Sequence, residues 1–330
     1  MPMTCPAPSC APDAPLPSAS IIVMREAPHA NAHGDAYGAS GIEVLLMERA
    51  SQARNFGGAL VFPGGKVEPG DDAIALQSGF TEQWPQLMPR LPQDPQTPDQ
   101  QALASLYGAA LRETLEEVGL LWLATCGSAD TPPAPAAAFP APANALAAAR
   151  GALAQGQTWD AALNALRAAA PAATPYAPSV QALRPFSRWI TPKITNMSAK
   201  RFDTWFFLAS LPPGQQASAD GSEAQHLLWA SPRQLLTRYA QGEILLAPPQ
   251  IMTLAHLCRF ADSASLSAYA SQQPILPIEP VSIDQEGQRI VCFPGDPLHE
   301  QTQPRTPGPT RLVLRNKRFE PEQGFEALFA

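Results

Sequence analysis

Three glutamates close together in the sequence, Glu113, Glu116 and Glu117, are its clearest chemical feature. At the 100° step of an α-helix they fall within an arc of about 100°, so their carboxylates converge on one patch. Arg112 is the only cation in this cluster, and like charges at this spacing repel one another on an isolated helix. Solvated acidic faces are common, but the crowding here indicates that something positive belongs on the patch.

Capping signals and apolar periodicity predict the helix that carries these glutamates. Thr97 is the expected N-cap, with Pro98 at the first helical position and Gln100 completing a capping box. Gly119 follows the last turn, where a left-handed residue ends many helices. The apolar side is expected to face the core and comprises Leu103, Tyr107, Ala110, Leu111, Thr114 and Val118.

The other elements must position this helix. An apolar run over 59–63 leads into a predicted Gly64-Gly65 turn, and five prolines predict an irregular chain over 72–98. Strands are expected over 20–26, 42–50, 59–63, 120–124, 184–192, 200–213 and 226–231. Helices are expected over 144–155, 159–170, 232–241 and 249–260. In the tail we expect a small hairpin over 278–293, a turn over 293–296 and a final strand over 310–315.

Length and composition restrict the class of protein. The chain has 330 residues, a net charge of −7 and a pI near 5.3, which argues against a general nucleic-acid binder. Proline supplies 38 residues, more than twice the usual share of about 5%, so part of the chain is expected to be linker. The 5 cysteines include no Cys-x-x-Cys pair and predict reduced thiols. With no apparent signal peptide or membrane span, we expect a cytoplasmic protein.

The loop and the helix together resemble the Nudix box. That motif reads Gly, five residues, Glu, seven residues, then Arg-Glu-apolar-x-Glu-Glu-x-Gly-apolar. Gly65 and Asp71 match its first part and residues 112–120 its second, with Asp71 in place of Glu and Thr114 at an apolar position. Forty residues, 72–111, separate the two parts where the box has seven, so an insert of thirty-three residues splits the motif.

A second stretch resembles the extra signature of coenzyme A diphosphatases in the Nudix superfamily. It comprises Leu45-Leu46-Met47-Glu48-Arg49-Ala50, Arg54, Gly58 and Phe62-Pro63-Gly64-Gly65. Met47 replaces a usual Thr, and Ala50 replaces a usual Ser. Combined with the split box, this stretch is similar to the branch known from peroxisomal coenzyme A diphosphatases. The resemblance covers roughly residues 20–260.

The resemblance implies an α/β fold, a Nudix α/β/α sandwich with a mixed β-sheet and helical insertions. It also implies a hydrolase that uses Mg²⁺ or Mn²⁺, hard cations that prefer carboxylate oxygens. Glu113 would bind metal or orient the attacking water, and Arg112 would pair with an acidic neighbour such as Asp71. The implied metal-binding residues are Glu113, Glu116, Glu117, Asp71 and, through its carbonyl, Gly65.

The residues that contact the substrate are less sharply defined. Glu223 lies where family members place a further metal ligand or catalytic base, although an exposed loop Glu is nearly as consistent with the sequence. Three cations, Arg49, Arg54 and Lys66, could hold phosphate groups. Three aromatic residues could stack an adenine or simply be core, namely Trp189, Phe202 and Trp205.

The implied substrate is a small nucleoside diphosphate derivative, coenzyme A or an acyl-coenzyme A, cut to 3′,5′-ADP and a 4′-phosphopantetheine product. Two alternatives stay open: hydrolysis of another such derivative, for example a dinucleotide or nucleotide sugar, and a non-catalytic Nudix-fold binding module. The three helix glutamates favour catalysis, because a module without turnover would be expected to lose them.

The domain organisation follows from the same patterns. We expect a disordered Pro-rich leader over 1–17, a Nudix domain over 18–262 and a C-terminal extension over 263–330. Insertions are expected at 72–108 and 125–182, the second holding an Ala/Pro-rich helical hairpin. The hairpin's role, as packing, lid or dimer contact, stays open, and so does a homodimer. No nucleic-acid or membrane partner is expected.

Overall fold

A computed structural model describes residues 14–27, 41–50, 57–125, 141–170, 176–193 and 200–329. Most of the predicted leader and the candidate residue Arg54 lie outside these ranges. The strands are β1 (Leu16–Glu26), β2 (Ile42–Arg49), β3 (Leu60–Val61), β4 (Gly64–Lys66), β5 (Leu123–Thr125), β6 (Tyr176–Pro178), β7 (Arg184–Ile190), β8 (Phe202–Ser210), β9 (Ala224–Ala230), β10 (Pro277–Ile278), β11 (Val281–Gln285), β12 (Gln288–Cys292), β13 (Arg311–Arg315) and β14 (Arg318–Pro321). The α-helices are α1 (Asp71–Gln77), α2 (Phe80–Leu87), α3 (Gln100–Val118), α4 (Ala143–Ala154), α5 (Trp159–Ala169), α6 (Pro232–Gln241), α7 (Pro248–Leu257) and α8 (Ser263–Gln272). None of these helices is long and apolar enough to cross a membrane.

The central sheet is mixed. Strands β10, β7, β8, β1, β2 and β3 lie side by side in that order, while β4 also pairs with β1 and β9 with β2. β1 runs parallel to β8 from Leu16 to Met24, but antiparallel to β2 and β4. Consecutive residues Ile21, Ile22 and Val23 of β1 are all buried, because elements cover both faces of the sheet.

Helices form a layer on each face of this sheet. On one face α1, α3 and the α4–α5 hairpin share a core with Ile21 and Trp205. On the other face α6, α7 and α8 share a core with Ile22 and Phe206. The predicted α/β/α sandwich with a mixed sheet is therefore confirmed, and the glutamate-bearing helix α3 lies on the first face.

The C-terminal segment forms a second, antiparallel sheet in the order β11-β12-β13-β14. The sequence predicted a hairpin and one further strand here, which is one strand fewer than the structure has. The strand that was not predicted is β14. Asn316 and Lys317, with φ of 49° and 64°, form the tight turn into β14, as two-residue hairpins require. Phe293, Leu312 and Leu328 join the core around Ile22, so this segment packs directly on the central sheet.

The start of α3 differs from the prediction. Asp99 is the N-cap, and its carboxylate accepts the N–H of Ala102 at 2.8 Å. The Thr97 hydroxyl instead donates to the Pro92 carbonyl at 2.6 Å, so the predicted capping box does not form. The predicted helix end is confirmed, since Gly119 is the C-cap with φ of 69°.

The insert that splits the box is largely helical, so the predicted irregular chain was wrong. α1 and α2 are followed by a 3₁₀ turn over Met88–Arg90. Ile74, Phe80 and Leu87 are buried in the core shared with α3, and this burial outweighs the proline content. Pro85 lies inside α2, where it removes one backbone donor.

Three further elements test the sequence predictions. The predicted strand over 120–124 begins only at Leu123, because the Gln215 amide binds both the N–H and the carbonyl of Leu121, at 3.0 and 2.7 Å. The predicted helical hairpin is confirmed, including the cap of α5 by Thr158. α8 was not predicted; its N-cap is Asp262, which accepts the N–H of Ser265 at 2.7 Å.

His256 on α7 should make folding stability depend on pH. Burial, and secondarily the charge of Arg259, lowers the pKa of His256 to about 4, against about 6.5 in an unfolded chain. Arg305 and Tyr269 also line its surroundings. Below pH 6.5 the unfolded chain takes up a proton at this residue before the folded protein does. The free energy of unfolding should therefore be unaffected by His256 above pH 6.5 and fall by up to about 3 kcal/mol as the pH decreases towards 4. Urea unfolding of wild type and His256→Phe between pH 4 and 7.5 should therefore show a smaller acid loss in the variant; parallel curves would contradict this.

Candidate active site

The C-terminal half of α3 lies against the short strand β4, which holds Glu117 in place. The Glu117 carboxylate accepts the N–H of Gly64 at 2.7 Å, and the residue is only 5% exposed. Burial is the main cause that raises the pKa of Glu117 well above its ordinary value, and the Gly64 hydrogen bond opposes the rise. An anionic Glu117 is therefore costly here unless a positive charge joins it.

Gly64 and Gly65 belong to β4 and do not form the predicted turn. They pair with Ser20 and Ala19 of β1. A side chain on Gly64 would collide with the backbone of Ala19 and Ser20, and one on Gly65 would collide with the Glu113 carboxylate. The two glycines thus let β4 lie between β1 and the carboxylates of α3.

Asp71 and Arg112 join the two parts of the split motif in space. Arg112 Nε donates to Asp71 Oδ1 at 2.9 Å, and Arg112 Nη2 donates to Asp71 Oδ2 at 3.1 Å. Asp71 is 1% exposed and Arg112 is 9% exposed. Arg112 Nη2 also donates to the Lys66 carbonyl at 3.0 Å, and the N–H of Glu68 donates to Asp71 Oδ2 at 2.7 Å. This bidentate pair ties α3 to the loop after β4.

Gly108, one turn before Arg112, allows this pair to form. A side chain at Gly108 would collide with the Asp71 carbonyl, so α1 begins directly against the surface of α3. This close approach compensates for the shorter side chain of Asp71, which has one methylene fewer than the Glu usual at this position. The two ends of the insert, after Asp71 and before Arg112, therefore lie close together in space.

One guanidinium serves several carboxylates at this site. Besides Asp71, Arg112 contacts Glu113 and Glu116, with Nη1 donating to their carboxylates at 3.0 and 3.1 Å. Arg112 thus pairs with three carboxylates, and the nearby Glu117 accepts only the backbone N–H of Gly64 among the described residues. The cluster is short of positive charge.

The pKa values of the other two helix glutamates report the same imbalance. Burial raises the pKa of Glu113 to about 7; Arg112 opposes this, while the charges of Glu116 and Glu223 add to it. Burial also raises the pKa of Glu116, again against the effect of Arg112. The carboxylates therefore become more stable either when they are protonated or when a cation binds beside them.

The remaining predicted site residues lie at the rim. Arg49, at the exposed end of β2, is near enough to lower the pKa of Glu117, against the larger effect of burial. Glu223 is exposed, and its N–H donates to the Asp220 carboxylate at 3.0 Å. It sits beside the end of β2, where the N–H of Ala50 donates to its carbonyl at 3.2 Å. The Lys66 side chain is exposed.

The aromatic residues considered for base stacking do not form a platform. Trp205 is 1% exposed and Trp189 is 3% exposed, and they belong to the cores on opposite faces of the sheet. Phe202 is partly buried at the start of β8. For both tryptophans the core interpretation is therefore the one that holds.

Arg150 on α4 is a site residue that sequence reasoning missed. Its Nε donates to the Glu116 carbonyl at 2.9 Å and its Nη2 to the Glu117 carbonyl at 2.7 Å. Its Nη1 donates to Ser218 Oγ at 3.0 Å. Arg150 thus binds carbonyls at the end of α3 that have no partner within the helix, a favoured place for a cation. A charged residue on an otherwise Ala-rich helix was the available signal.

Replacing Arg150 should impair activity through α3. Arg150→Met is expected to lower kcat about tenfold with little change in KM, because the backbone beneath Glu116 and Glu117 loses its support. The matched control is Arg167→Met on α5, since Arg167 is exposed on the same hairpin and should tolerate the change. Steady-state kinetics of both variants would check this, and equal kcat values would contradict it.

Comparisons with known proteins agree with this geometry. A family model described as the NUDT19 Nudix domain matches residues 17–257. "Acyl-coenzyme A diphosphatase NUDT19" of Gallus gallus is 30% identical over 316 residues, covering 86% of this chain and 79% of that protein. The Xenopus laevis protein of the same name is 25% identical over 310 residues, covering 85% and 77%. The crystal structure of a Nudix hydrolase from Alicyclobacillus acidocaldarius superposes with a TM-score of 0.54 at 27% identity, covering 81% of this chain and all of that one.

Fold and site together define a Nudix hydrolase. The chain belongs to the NUDT19 Nudix domain family, whose model matches well over half of its length.

Nudix hydrolases generally use divalent metal ions, and the carboxylates of α3 suit one. Their donors are hard oxygens, and the cluster lacks positive charge. In the described part of the chain no three His, Cys, Asp or Glu side chains are arranged as a ready metal site. Glu113 and Glu116 contact Arg112, and Glu117 contacts Gly64. The residue types fit a cation because they supply oxygen donors and lack positive charge, although their side chains bind Arg112 and Gly64 in this arrangement.

Proposed function

We propose that this protein hydrolyses the diphosphate of coenzyme A or acyl-coenzyme A, releasing 3′,5′-ADP and 4′-phosphopantetheine or its acyl form. The reassembled box carries the proposal: Asp71 and Arg112 meet across the insert beside the glutamates of α3. The Gallus gallus and Xenopus laevis relatives are both named acyl-coenzyme A diphosphatases, which supports this substrate. The coverage of 86% and 85% of this chain extends that support over most of its length.

We assign the residues of α3 to holding Mg²⁺ or Mn²⁺ and the attacking water. Glu116 and Glu117 would hold the cation, and Glu113 and the Gly65 carbonyl are further oxygen donors assigned to it. Asp71 was expected to bind metal as well, but both of its carboxylate oxygens accept hydrogen bonds from Arg112 or Glu68, so we assign it to holding Arg112. When bound, the cation neutralises phosphate charge and acidifies water. Arg112 keeps Glu113 and Glu116 at their positions, as its hydrogen bonds of 3.0 and 3.1 Å support.

The reaction itself is a displacement at phosphorus. A water oxygen bonds to one phosphorus as the bond from that phosphorus to the bridging oxygen breaks, and the bridging oxygen leaves with the other phosphate. Glu113 orients this water and takes its proton. Glu223 is a second carboxylate able to take the proton, which its electrostatic effect on Glu113 supports.

Cations at the rim are assigned to the substrate. Arg49 and Lys66 are exposed at the ends of β2 and β4 and would bind phosphate oxygens of the ligand. Arg54 is assigned the same role from its place in the signature. These cations matter because the protein has a net charge of −7, which otherwise repels an anionic substrate.

A phosphate-release assay tests the proposal. Purified protein with Mg²⁺ or Mn²⁺ and a coupling phosphatase is given coenzyme A, acetyl-coenzyme A, a dinucleotide or a nucleotide sugar, with Glu116→Gln as the control. Preferential cleavage of the coenzyme A compounds, lost in the variant and on chelation, is expected. If only another diphosphate is cleaved, the proposal that coenzyme A is the substrate is rejected, while the assignment of the active site is retained. Binding without cleavage of any compound would indicate a binding module.

A further inference from the structure

A separate cavity of about 380 Å³ lies on the sheet face opposite α3. Its lining comes from β7, β10, α7, α8 and residues 304–307, and includes Phe186, Trp189, Thr253, His256, Tyr269 and Arg305. Phe186 and Trp189 belong to the core on that face, whereas α3 packs in the other. Its volume is at the lower end of the roughly 300–1,000 Å³ usual for ligand pockets. The cavity is therefore distinct from the hydrolytic site and suits a small molecule.

A β-bulge in β7 shapes one wall of this cavity. The register between β7 and β8 shifts between Pro185 and Ser187, so Phe186 is an extra residue in its strand. Without a bulge, residues three apart would point to opposite faces, yet Phe186 and Trp189 lie in the same core. Bulges re-aim side chains and are frequent beside functional sites.

The cavity lining is rich in polar groups that have no partner. Seven buried side-chain N or O atoms in the described residues make no hydrogen bond, and three of them are Ser187 Oγ, Trp189 Nε1 and Thr253 Oγ1, on residues of this lining. Trp189 is 3% exposed and Thr253 is 2% exposed. Buried polar atoms are nearly always paired, so such a concentration indicates a place where a ligand supplies partners. Since Trp189 is a donor only and the hydroxyls can donate, the ligand should bring acceptors.

The charge and the aromatic rings of the lining restrict the chemical class of the ligand further. Arg305 is partly buried, and in the ranges that the structure describes it forms no ion pair or hydrogen bond; the lining contains no Asp or Glu. The His256 side chain likewise forms no hydrogen bond within the described ranges, but its ring centroid lies 4.9 Å from that of Phe186 and 5.3 Å from that of Tyr269. These rings pack at tilted and edge-on angles, and a guanidinium beside such an aromatic cluster favours a flat anion.

We propose that this cavity is a second binding site, which takes a small planar aromatic carboxylate. Its carboxylate would pair with Arg305 and accept hydrogen bonds from the hydroxyl and indole donors, while its ring would lie against His256, Phe186 and Tyr269. The site does not depend on the hydrolytic reaction, because its lining residues lie on the other face of the sheet.

Calorimetric titration of the full chain with benzoate tests this site, with benzamide as the uncharged isostere. The metal is chelated, so hydrolysis plays no part. Benzoate is expected to bind with a Kd of about 1 mM, and Arg305→Gln should weaken binding about tenfold. Thr253→Val, of the same shape, should also weaken it, whereas Arg167→Gln on distant α5 should not. Retained circular dichroism and unfolding midpoints confirm that each variant is folded.

Several results would overturn the proposal. Equal affinity for benzamide would remove the role of the charge, and unchanged affinity in both Arg305→Gln and Thr253→Val would place benzoate elsewhere. Displacement of benzoate by coenzyme A would assign it to the hydrolytic site. Absence of binding at about ten times the expected Kd would show that the cavity is not such a site.

Discussion

Replacing Glu117 by glutamine is expected to abolish hydrolysis and, at the same time, to make the metal-free protein more stable. The loss of a proposed metal ligand should lower kcat by at least about 10³-fold, because several kcal/mol of transition-state stabilisation disappear. Glutamine can still accept the Gly64 hydrogen bond through its amide oxygen. Steady-state kinetics of wild type and variant measure the first effect.

The gain in stability follows from the raised pKa of Glu117. The folded protein binds this proton more tightly than the unfolded chain, whose Glu pKa is about 4.3, so ionisation costs stability as the pH rises above that value. A neutral glutamine avoids this cost. In urea unfolding with a chelator, the variant should therefore exceed wild type at pH 8 and approach it near pH 4.

Glu68→Gln is the matched control for this experiment. Glu68 is exposed in the loop before α1, so its replacement should change stability by no more than about 0.5 kcal/mol and leave kcat nearly intact. A Glu117→Gln variant that retains activity would refute the assigned role. A variant that is less stable than wild type at pH 8 would refute the proposed electrostatic cost.

Removing Asp71 should have the largest effect on stability. Asp71→Ala leaves Arg112 buried without its bidentate partner, and breaking such a pair costs about 3–5 kcal/mol. Arg112 would also hold Glu113 and Glu116 less firmly, so kcat should fall about 10- to 100-fold in the protein that remains folded. Urea unfolding and kinetics at a temperature well below the transition separate the two effects.

Asp72→Ala provides an adjacent comparison. Asp72 accepts an exposed hydrogen bond from Gln101 at 3.0 Å, so its loss should cost less than about 1 kcal/mol. Equal destabilisation by the two variants would mean that the pair between Asp71 and Arg112 contributes no more than a surface contact. The loss of stability in Asp71→Glu should lie between those of Asp71→Ala and Asp72→Ala, because its extra methylene must fit where α1 meets Gly108.

Features carried by one short segment were predictable from sequence. The end of α3 at Gly119 follows from the left-handed conformation that glycine adopts at a helix C-cap. The place of Glu113, Glu116 and Glu117 within one arc of the helix follows from helical spacing. The hairpin of α4 and α5 followed from helix propensity and the Thr158 cap. The mixed α/β architecture was inferred from the resemblance carried by the box.

Predictions from local sequence patterns failed where contacts with other parts of the chain decided the structure. Thr97 lost the capping role because Asp99 lies nearer the helix and the Thr97 hydroxyl binds Pro92. The expected strand over 120–124 was shortened because Gln215, far along the chain, binds the Leu121 backbone. The proline-rich insert became helical because its apolar residues found a core beside α3.

The amino-acid sequence by itself determined which chemical groups α3 presents and which family the chain resembles, because both depend on residue type and on spacing within a few turns. Only the tertiary structure decided how those groups are held. Asp71 reaches Arg112 across 40 intervening residues because α1 rests on Gly108. Arg150 reaches the end of α3 from a separate hairpin. Contacts of this kind depend on packing among remote segments, which periodicity does not encode.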